Sequence, residues 1–311
     1  MLALLGPTAA GKSEAAVLLA VGIGAEIVSA DSVQVYRGLD VGTAKPTIAQ
    51  RQGVPHHLID VVDPGEEMTV AQFADLAHAA IEDVLGRGKR PLVSGGTGLY
   101  LRAALGEWQV VRVEPDPELR AEWRQRVSRE GPAALWREVA RRYPERAAAI
   151  GVADIPRLLR VLEVGGRQGT AQASPYRLLK VGWWRRRQEI AQRIAERAEE
   201  LWQGGMVEET ARLMALGLSR ELPPLGSLGY REAAAFLAGE LSRQAAIAAF
   251  LTRSRHLAKR QMTWWRRERD IFWIHAEEEG MARLQAVSAV FLTGNEPRAV
   301  FGPDPYQPPA Y

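Results

Sequence analysis

The sequence contains no cysteine, which excludes disulfides, iron–sulfur clusters and zinc sites built on thiolates. Its five histidines leave little for a metal cluster. No apolar run reaches the roughly 18 residues that a transmembrane helix needs, and the apolar stretch before Gly6 is too short for the core of a signal peptide. The sequence therefore predicts a cytoplasmic protein that makes no membrane contact.

Lysine is scarce too, with 5 lysines against 35 arginines in 311 residues. Residues 1–112 carry nine basic and twelve acidic side chains, whereas the rest of the chain carries 31 basic and 25 acidic ones. Together with a pI near 9.3, this asymmetry indicates a polyanionic partner for the C-terminal part. Arginine enrichment from genome composition or thermal adaptation explains the same numbers equally well.

The remaining composition, 47% hydrophobic and 25% charged, is that of a globular chain. Apolar segments alternate with helical periodicity in the first 112 residues, which predicts a parallel sheet flanked by helices. An Arg-rich helical insertion is expected at 114–172, within an α/β core formed by 1–113 and 173–311. Strands are predicted at 2–5, 27–30, 57–62, 90–94 and 177–183, helices at 12–21, 69–85, 189–216, 230–237 and 243–267, and a loosely held tail over the last ten residues.

One motif specifies chemistry directly. The pattern G-x-x-x-x-G-K-S follows a predicted strand and opens a predicted helix, which is the setting of a phosphate-binding P-loop. Glycines let backbone N–H groups converge on phosphate oxygens, and the helix N-terminus favours negative charge. A diphosphate or triphosphate is therefore expected here, with the lysine on the terminal phosphate and the serine on Mg²⁺. The motif comprises Gly6, Pro7, Thr8, Ala9, Ala10, Gly11, Lys12 and Ser13.

Two further motifs end predicted strands on the same edge of the sheet. Asp31 can serve there as a base or a metal ligand, although a helix-capping role also fits. Ser94–Gly98 combines glycines, which permit close approach of a ligand, with the hydroxyl of Thr97, although a plain tight turn explains it as well.

Weaker signals remain. His56 and His57 are adjacent on a predicted strand and so point to opposite faces, which favours a structural role over metal binding. The segments 183–187 and 264–267 mix tryptophan with arginine, as RNA contacts do. Inward-packed tryptophans beneath a solvated arginine face fit these segments equally well.

Taken together, these motifs resemble the bacterial tRNA dimethylallyltransferase family. The likeness extends over nearly the whole chain, and the blocks at 31–36 and 41–46 are more specific than a P-loop. The blocks that carry it are 6–13, 31–36, 41–46 (VGTAKP), 56–60, 95–100 (GGTGLY), 116–120, 157–164, 229–231 and 259–264 (KRQMTW).

The resemblance implies a P-loop NTPase-like core that holds dimethylallyl diphosphate rather than ATP, with Mg²⁺ assisting release of diphosphate. It implies transfer of the dimethylallyl group to N6 of adenosine 37, 3′ to the anticodon, in tRNAs that read codons beginning with U. Asp31 resembles the general base, Thr97 a residue that hydrogen-bonds near the reacting amine, and Arg197 an arginine associated with the prenyl diphosphate. Ser13 corresponds to the Mg²⁺ ligand. The tRNA contacts correspond to Asp31, Ser32, Val33, Gln34, Thr97, Arg120, Pro156, Arg157, Leu158, Leu159 and Arg160.

The sequence departs from the family pattern at 153–156 and at Gly226, both in expected tRNA-contact segments. A monomer that binds the anticodon stem-loop is the expected form. Three alternatives remain: prenylation of a free adenine nucleotide, a small-molecule kinase, and a non-catalytic RNA-binding protein. The helical insertion and the basic C-terminal helices count against the first, and the complete set of Lys12, Ser13, Asp31 and Thr97 counts against the last.

Overall fold

The computed structural model describes residues 1–220, 222–277, 279–302 and 304–309. Contacts divide the chain into two compact units, one formed by Met1–Gly106 with Ser174–Tyr311 and the other by Glu107–Ala173. The second unit thus begins seven residues before the insertion predicted at 114–172. No helix within the described ranges is both long enough and apolar enough to cross a bilayer.

The strands form a parallel sheet in the first unit and a small antiparallel pair in the second. In the part of the chain that the structure describes, the parallel sheet has the order β3-β2-β4-β1-β7-β8, and β5 pairs with β6. The α/β fold with a parallel sheet flanked by helices is thus confirmed. The strands are β1 (Leu2–Leu5), β2 (Ala25–Ala30), β3 (His56–His57), β4 (Arg90–Gly95), β5 (Trp108–Gln109), β6 (Thr170–Ala171), β7 (Leu179–Trp184) and β8 (Ile271–His275).

Helices cover both faces of the sheet and fill the second unit. The first-unit helices are α1 (Lys12–Ile23), α2 (Ile48–Arg51), α3 (Val70–Gly86), α4 (Gly98–Ala104), α9 (Arg187–Gln203), α10 (Met206–Ala215), α11 (Pro223–Gly226), α12 (Tyr230–Leu237), α13 (Arg243–Trp265), α14 (Gly280–Leu292) and α15 (Pro297–Phe301). The second-unit helices are α5 (Pro117–Glu130), α6 (Pro132–Arg142), α7 (Pro144–Ala148) and α8 (Ile155–Glu163).

The core lies on both sides of the sheet because its strands are apolar on both faces. Along β1, Ala3 and Leu5 join one buried cluster with α3 and α4, whereas Leu2 and Leu4 join another with α1 and α14. Side chains alternate between the faces of a strand, so an unbroken apolar segment indicates a strand covered on both sides. The second unit has its own core, which includes Trp123, Leu135, Val139 and Leu158.

Two predicted elements were wrong in extent. The strand expected at 57–62 ends at His57, because Leu58 and Asp60 adopt left-handed φ values of 62° and 59°. The single helix expected at 189–216 is two helices, separated at Gly204 and Gly205, of which Gly205 has φ 102°. Glycine tolerates this conformation at little cost, so the helix ends here. The helical spacing of the buried residues is nevertheless the same on both sides of the break.

The expected loose tail is also partly wrong. Pro305 is buried, and the ring of Tyr306 meets that of Phe272 edge-on at 5.4 Å. Residues 303, 310 and 311 lie outside the described residues.

The first unit is interrupted at one place. Residues 106 and 174 flank the second unit, and Ser174 Oγ donates a 2.5 Å hydrogen bond to the carbonyl of Leu105. Within the second unit, Trp108 and Ala171 are paired in β5 and β6. In each unit, the two chain segments at the junction therefore lie next to each other.

Candidate active site

The P-loop joins β1 to α1 in an unusual backbone conformation. Gly6, Ala9 and Gly11 have φ values of 151°, 61° and 85°. A Cβ on Gly6 would lie 2.1 Å from the carbonyl oxygen of Trp183, so this position requires glycine. The loop ends where α1 begins at Lys12, which brings backbone N–H groups and the helix N-terminus to one place. This geometry suits an anion.

Three side chains hold the P-loop by its carbonyl oxygens. Trp183 Nε1 and Arg185 Nε donate to Ala10 O at 3.1 and 3.3 Å, and Arg193 Nε donates to Ala9 O at 2.8 Å. Trp183 is within reach because β7 is parallel to β1. Since these bonds use carbonyl oxygens, the loop is fixed without using its N–H groups at Ala9 and Ala10.

Lys12 is the cation of this loop. Its Nζ donates to Pro7 O at 2.7 Å. Burial lowers the pKa of Lys12 to about 8, while the nearby charge of Asp31 opposes the shift and that of Arg197 adds to it. An ammonium group that is partly withdrawn from water gains from an anionic ligand, which would restore its pKa.

Asp31 and Thr97 are brought together by strand pairing. They follow β2 and β4, whose last residues, Ala30 and Gly95, face each other in register. Asp31 Oδ1 accepts hydrogen bonds from Val33 N at 2.8 Å and Gln34 N at 3.1 Å. Among the described residues, no hydrogen bond reaches the other oxygen, Oδ2. One oxygen of Asp31 thus fixes the turn, and the second is available for chemistry.

Thr97 lies beside this turn, with its Oγ1 3.5 Å from Ser32 Oγ. It immediately precedes α4, which begins at Gly98. The two motifs that sequence analysis identified separately therefore form one corner of the sheet.

Arg197 reaches the same region from α9. Its Nη2 donates to Thr43 O at 3.2 Å, and Gln34 Nε2 donates to the same carbonyl at 3.3 Å. Burial lowers the pKa of Arg197 from its usual value, and the charge of Asp31 counters this shift. An arginine remains charged nonetheless, so Arg197 and Lys12 both supply positive charge around Asp31.

The segment around Thr43 is held by two buried charges that sequence analysis did not identify. Glu209 accepts hydrogen bonds from the backbone N–H groups of Asp40, Val41 and Gly42 at 3.0–3.2 Å and from the hydroxyl of Tyr230 at 2.5 Å. Its residue surface is only 2% exposed.

Lys45 is the second of these charges. Its Nζ binds Tyr36 O at 3.0 Å and one carboxylate oxygen each of Asp40 and Asp60 at 2.5 Å. No local sequence pattern indicates the role of Glu209, because every partner except Tyr230 is over 160 residues away in the sequence.

A cavity of about 770 Å³ connects these parts. Predicted residues that line it are Thr8, Ala9, Gly11, Lys12, Ser13, Asp31, Val33, Gln34 and Arg197; Gly6, Pro7, Ala10, Ser32 and Thr97 do not. Its wall also includes His56, Arg193 and Gln261, for which no ligand role was predicted. His57 instead pairs with Glu26 at 2.7 Å, as a structural histidine would.

The tRNA contacts predicted in the second unit have mixed surroundings. Arg120 and Arg160 form ion pairs with Glu163 at 2.6 and 3.1 Å, and the side chain of Glu163 is fully buried. Leu158 and Leu159 are 0% and 4% exposed. The side chains of these two leucines therefore pack in the core of the second unit, and a tRNA contact at these positions stays a prediction. The exposed neighbours are Pro156 and Arg157.

The Trp–Arg segments divide in the same way. Trp183 and Trp265 are 5% and 2% exposed, so they pack inward, whereas Trp264 is 37% exposed. Trp264 and Arg267 line two cavities of about 540 and 460 Å³, and the second of these lies on a basic face of α13 that includes Lys259 and Arg260.

One group among the described residues offers several ligand types to a metal ion: Glu189, His275 and Glu277. Arg186 pairs with both carboxylates, at 2.9 and 3.8 Å, and Arg185 lies 4.0 Å from Glu277. Two guanidinium groups already neutralise this cluster, which makes it an ion-pair network rather than a cation site. The hydroxyl of Ser13 and the free carboxylate oxygen of Asp31, in the cavity wall, offer the oxygen ligands that Mg²⁺ prefers.

Two family models match this sequence: IPP transferase over residues 34–268 and isopentenyl transferase over residues 1–61. A tRNA dimethylallyltransferase of Thermomicrobium roseum is 42% identical over 287 residues, covering 90% of this chain and 87% of the relative. The tRNA dimethylallyltransferase 1 of Citrifermentans bemidjiense is 45% identical over 284 residues, covering 88% and 91%.

Two solved structures are similar to this chain along most of its length. The tRNA isopentenylpyrophosphate transferase from Bacillus halodurans has a TM-score of 0.72 and 34% identity, over 94% of this chain and 96% of its own. A eukaryotic dimethylallyltransferase acting on tRNA, at 23% identity, shares the fold with a TM-score of 0.75 over 95% of this chain and 80% of its own.

Proposed function

This chain belongs to the IPP transferase family, and from that premise we propose that it transfers a dimethylallyl group from dimethylallyl diphosphate to N6 of an adenosine in tRNA. The proposed target is adenosine 37, next to the anticodon, in tRNAs that read codons beginning with U. The protein acts as a monomer in the cytoplasm. The observation that carries the proposal is the convergence of a P-loop, two partly buried cations and a carboxylate with one free oxygen on a single cavity.

The P-loop binds the diphosphate of the donor. Its N–H groups and the N-terminus of α1 face the anion, and Lys12 adds a charge that burial has made costly to leave unpaired. Arg197 adds a second cation near Asp31. Such groups, fixed before the reaction, stabilise the negative charge that grows on the leaving diphosphate.

Asp31 is the general base. The reaction forms a bond between N6 and C1 of the dimethylallyl group and breaks the C1–O bond, whose electron pair leaves on the diphosphate. The N6 proton passes to Asp31 Oδ2, since Oδ1 is held by Val33 N and Gln34 N. A positioned base of this kind contributes about 10²–10⁴-fold to a rate. Thr97 hydrogen-bonds near the reacting amine.

Mg²⁺ fits the donor set. Ser13 follows the P-loop lysine, where a hydroxyl binds Mg²⁺ in phosphate-binding loops, and it lines the cavity, while Oδ2 of Asp31 is kept for the N6 proton. When bound, Mg²⁺ would neutralise charge on the diphosphate. The protein groups would orient the donor.

The acceptor has to present an unstacked base. Sequence-specific proteins read RNA loops by splaying bases into pockets, and an adenosine beside the anticodon is in such a loop. A cavity of about 770 Å³ has room for a prenyl diphosphate and a base together. Exposed Pro156 and Arg157 and the basic face of α13 are the proposed tRNA-contacting surfaces.

The test supplies labelled dimethylallyl diphosphate and Mg²⁺ to unmodified tRNA and, in parallel, to AMP. Label on tRNA alone supports the proposal. Label on AMP alone would replace tRNA by a free nucleotide as the acceptor, and ATP turnover without prenyl transfer would indicate a kinase.

Asp31→Asn isolates the base. The amide keeps an oxygen for Val33 N and Gln34 N, so the turn is retained while the base is lost. We expect kcat to fall at least about 10²-fold with tRNA affinity unchanged. Asp63→Asn, at an exposed ion pair with Arg37, is the matched control and should leave kcat intact. An equal loss of tRNA affinity in Asp31→Asn would make Asp31 a recognition residue.

A further inference from the structure

The side chain of Gln261 connects two loops of the site. It extends from α13, and its Oε1 accepts a hydrogen bond from Thr8 N in the P-loop at 2.7 Å. Its Nε2 donates to Gly96 O, in the turn that carries Thr97, at 3.1 Å. The amide thus joins two segments that are separated by 88 residues in the sequence.

The turn is shaped to receive α13. A Cβ on Gly96 would lie 2.5 Å from Gln261 Nε2, and a Cβ on Gly98 would lie 2.4 Å from Trp264 Nε1. Neither glycine has a positive φ. These two glycines therefore leave the space that the Gln261 amide and the Trp264 ring occupy, and their backbone conformation does not demand glycine. Thr97 is between them.

The helix itself is firmly anchored. Ala258 and Met262 are fully buried, and Trp265 is 2% exposed, so the turn of α13 that carries Gln261 is packed into the core. A side chain fixed in this way can hold two loops at a set distance, which a mobile surface glutamine could not.

We propose that Gln261 is a positioning residue that sets the spacing between the P-loop and the Thr97 turn. The inference rests on the proposed function, in which the P-loop holds the donor and the Asp31–Thr97 corner holds the acceptor. A primary amide is suited to this position because it offers an acceptor to an N–H and a donor to a carbonyl at the same time. Neither a carboxylate nor an ammonium group does both.

The consequence is kinetic. Two reactants combine efficiently only when the reacting atoms are about 3–3.5 Å apart, and a misplacement of about 1 Å can cost about 10²-fold. Without the bridge, the P-loop keeps its bonds to Trp183, Arg185 and Arg193, and the Thr97 turn keeps its contact with Ser32, but these contacts do not join one loop to the other. Gln261 would therefore affect the rate and donor binding and leave the affinity for tRNA unchanged.

The primary variant is Gln261→Met, which keeps the length of the side chain and removes both hydrogen bonds. Gln244→Met, at an exposed position of the same helix, is the matched control. For Gln261→Met we expect kcat to fall about 10–10²-fold and the KM for dimethylallyl diphosphate to rise, with the Kd for tRNA unchanged. The control should match the wild type in all three.

Gly96→Ala breaks the same contact from the other side, because its methyl group displaces the Gln261 amide. If the bridge is what matters, the double variant should be no slower than the slower single variant, since both changes remove one interaction. Fully additive losses would mean that the two residues act separately and would overturn the proposal. Gly96→Ala also provides the test if Gln261→Met does not fold.

Binding of inorganic diphosphate, measured by calorimetry, is independent of any transfer to tRNA. We expect weaker binding in Gln261→Met than in the wild type or Gln244→Met. Equal binding together with an unchanged kcat overturns the positioning role, and a proportional loss of tRNA affinity would assign Gln261 to tRNA contact instead. If the wild type transfers nothing to tRNA, the proposed function fails, and the diphosphate measurement still decides the role of Gln261.

Discussion

Replacing Glu209 by glutamine tests how the loop before Thr43 is held. The Glu209 carboxylate is buried and accepts hydrogen bonds from three backbone N–H groups, those of Asp40, Val41 and Gly42. It also accepts one from Tyr230, whose pKa is raised by burial and then by this negative charge. The isosteric amide changes no volume, so the effect isolates charge and hydrogen bonding.

The expected loss in the free energy of unfolding follows from the hydrogen bonds that Glu209 accepts. Oε2 alone serves Asp40, and Oε1 alone serves Gly42, whereas Val41 N lies near both oxygens. Whichever oxygen becomes an NH₂ group, one N–H therefore loses its acceptor, either the buried one of Gly42 or the partly buried one of Asp40, at a cost of about 1–3 kcal/mol. The remaining bonds lose their charge assistance, which adds roughly 1 kcal/mol. We expect the free energy of unfolding to fall by about 2–4 kcal/mol.

The assay is equilibrium unfolding in urea, with Glu208→Gln as the control, since Glu208 is exposed in the same first turn of α10. Hydrogen exchange should in addition show faster exchange at the amides of Val41 and Gly42 in Glu209→Gln. If Glu209→Gln and Glu208→Gln unfold at the same urea concentration, the carboxylate does not hold the loop and the reasoning is refuted.

Two further predictions concern pH. In the free enzyme Lys12 has a pKa of about 8, so kcat/KM for the donor should fall as the pH rises through about 8 and the ammonium group loses its proton; a profile flat to pH 10 would contradict this. The pKa of Glu26 is lowered from 4.5 to about 2, chiefly by its hydrogen bonds with Arg87 and also by His57. A depressed folded-state pKa stabilises the protein above the unfolded value. The loss of stability in Glu26→Gln should therefore be full above about pH 4.5 and vanish as the pH falls to about 2; a loss independent of pH would exclude the carboxylate charge as its cause.

The sequence predicted the parts of the site that are local or that strand order brings together. The P-loop is contiguous, and Asp31 and Thr97 each end a strand, so the rule that parallel strands end at one edge of the sheet places them as neighbours. The register of Ala30 with Gly95 agrees with this expectation.

Other parts depend on contacts that local patterns do not encode. Gln261 and Glu209 act over more than 160 residues, and nothing in the periodicity of their helices distinguishes them from neighbouring polar side chains. Arg197 was identified by resemblance alone. The helix break at Gly204 and Gly205 escaped prediction because the apolar spacing on either side stays in phase.

The junction between the two units has a topological consequence. The chain leaves the first unit after Gly106 and re-enters it at Ser174, whose hydroxyl donates a hydrogen bond to the carbonyl of Leu105. Chain ends that meet can be joined by a short linker without disturbing the sheet, and such sites tolerate the gain or loss of whole segments. Residues 107–173 are in this sense a cassette: their 67 residues leave and re-enter the chain at neighbouring positions, and no strand of the parallel sheet described here is among them.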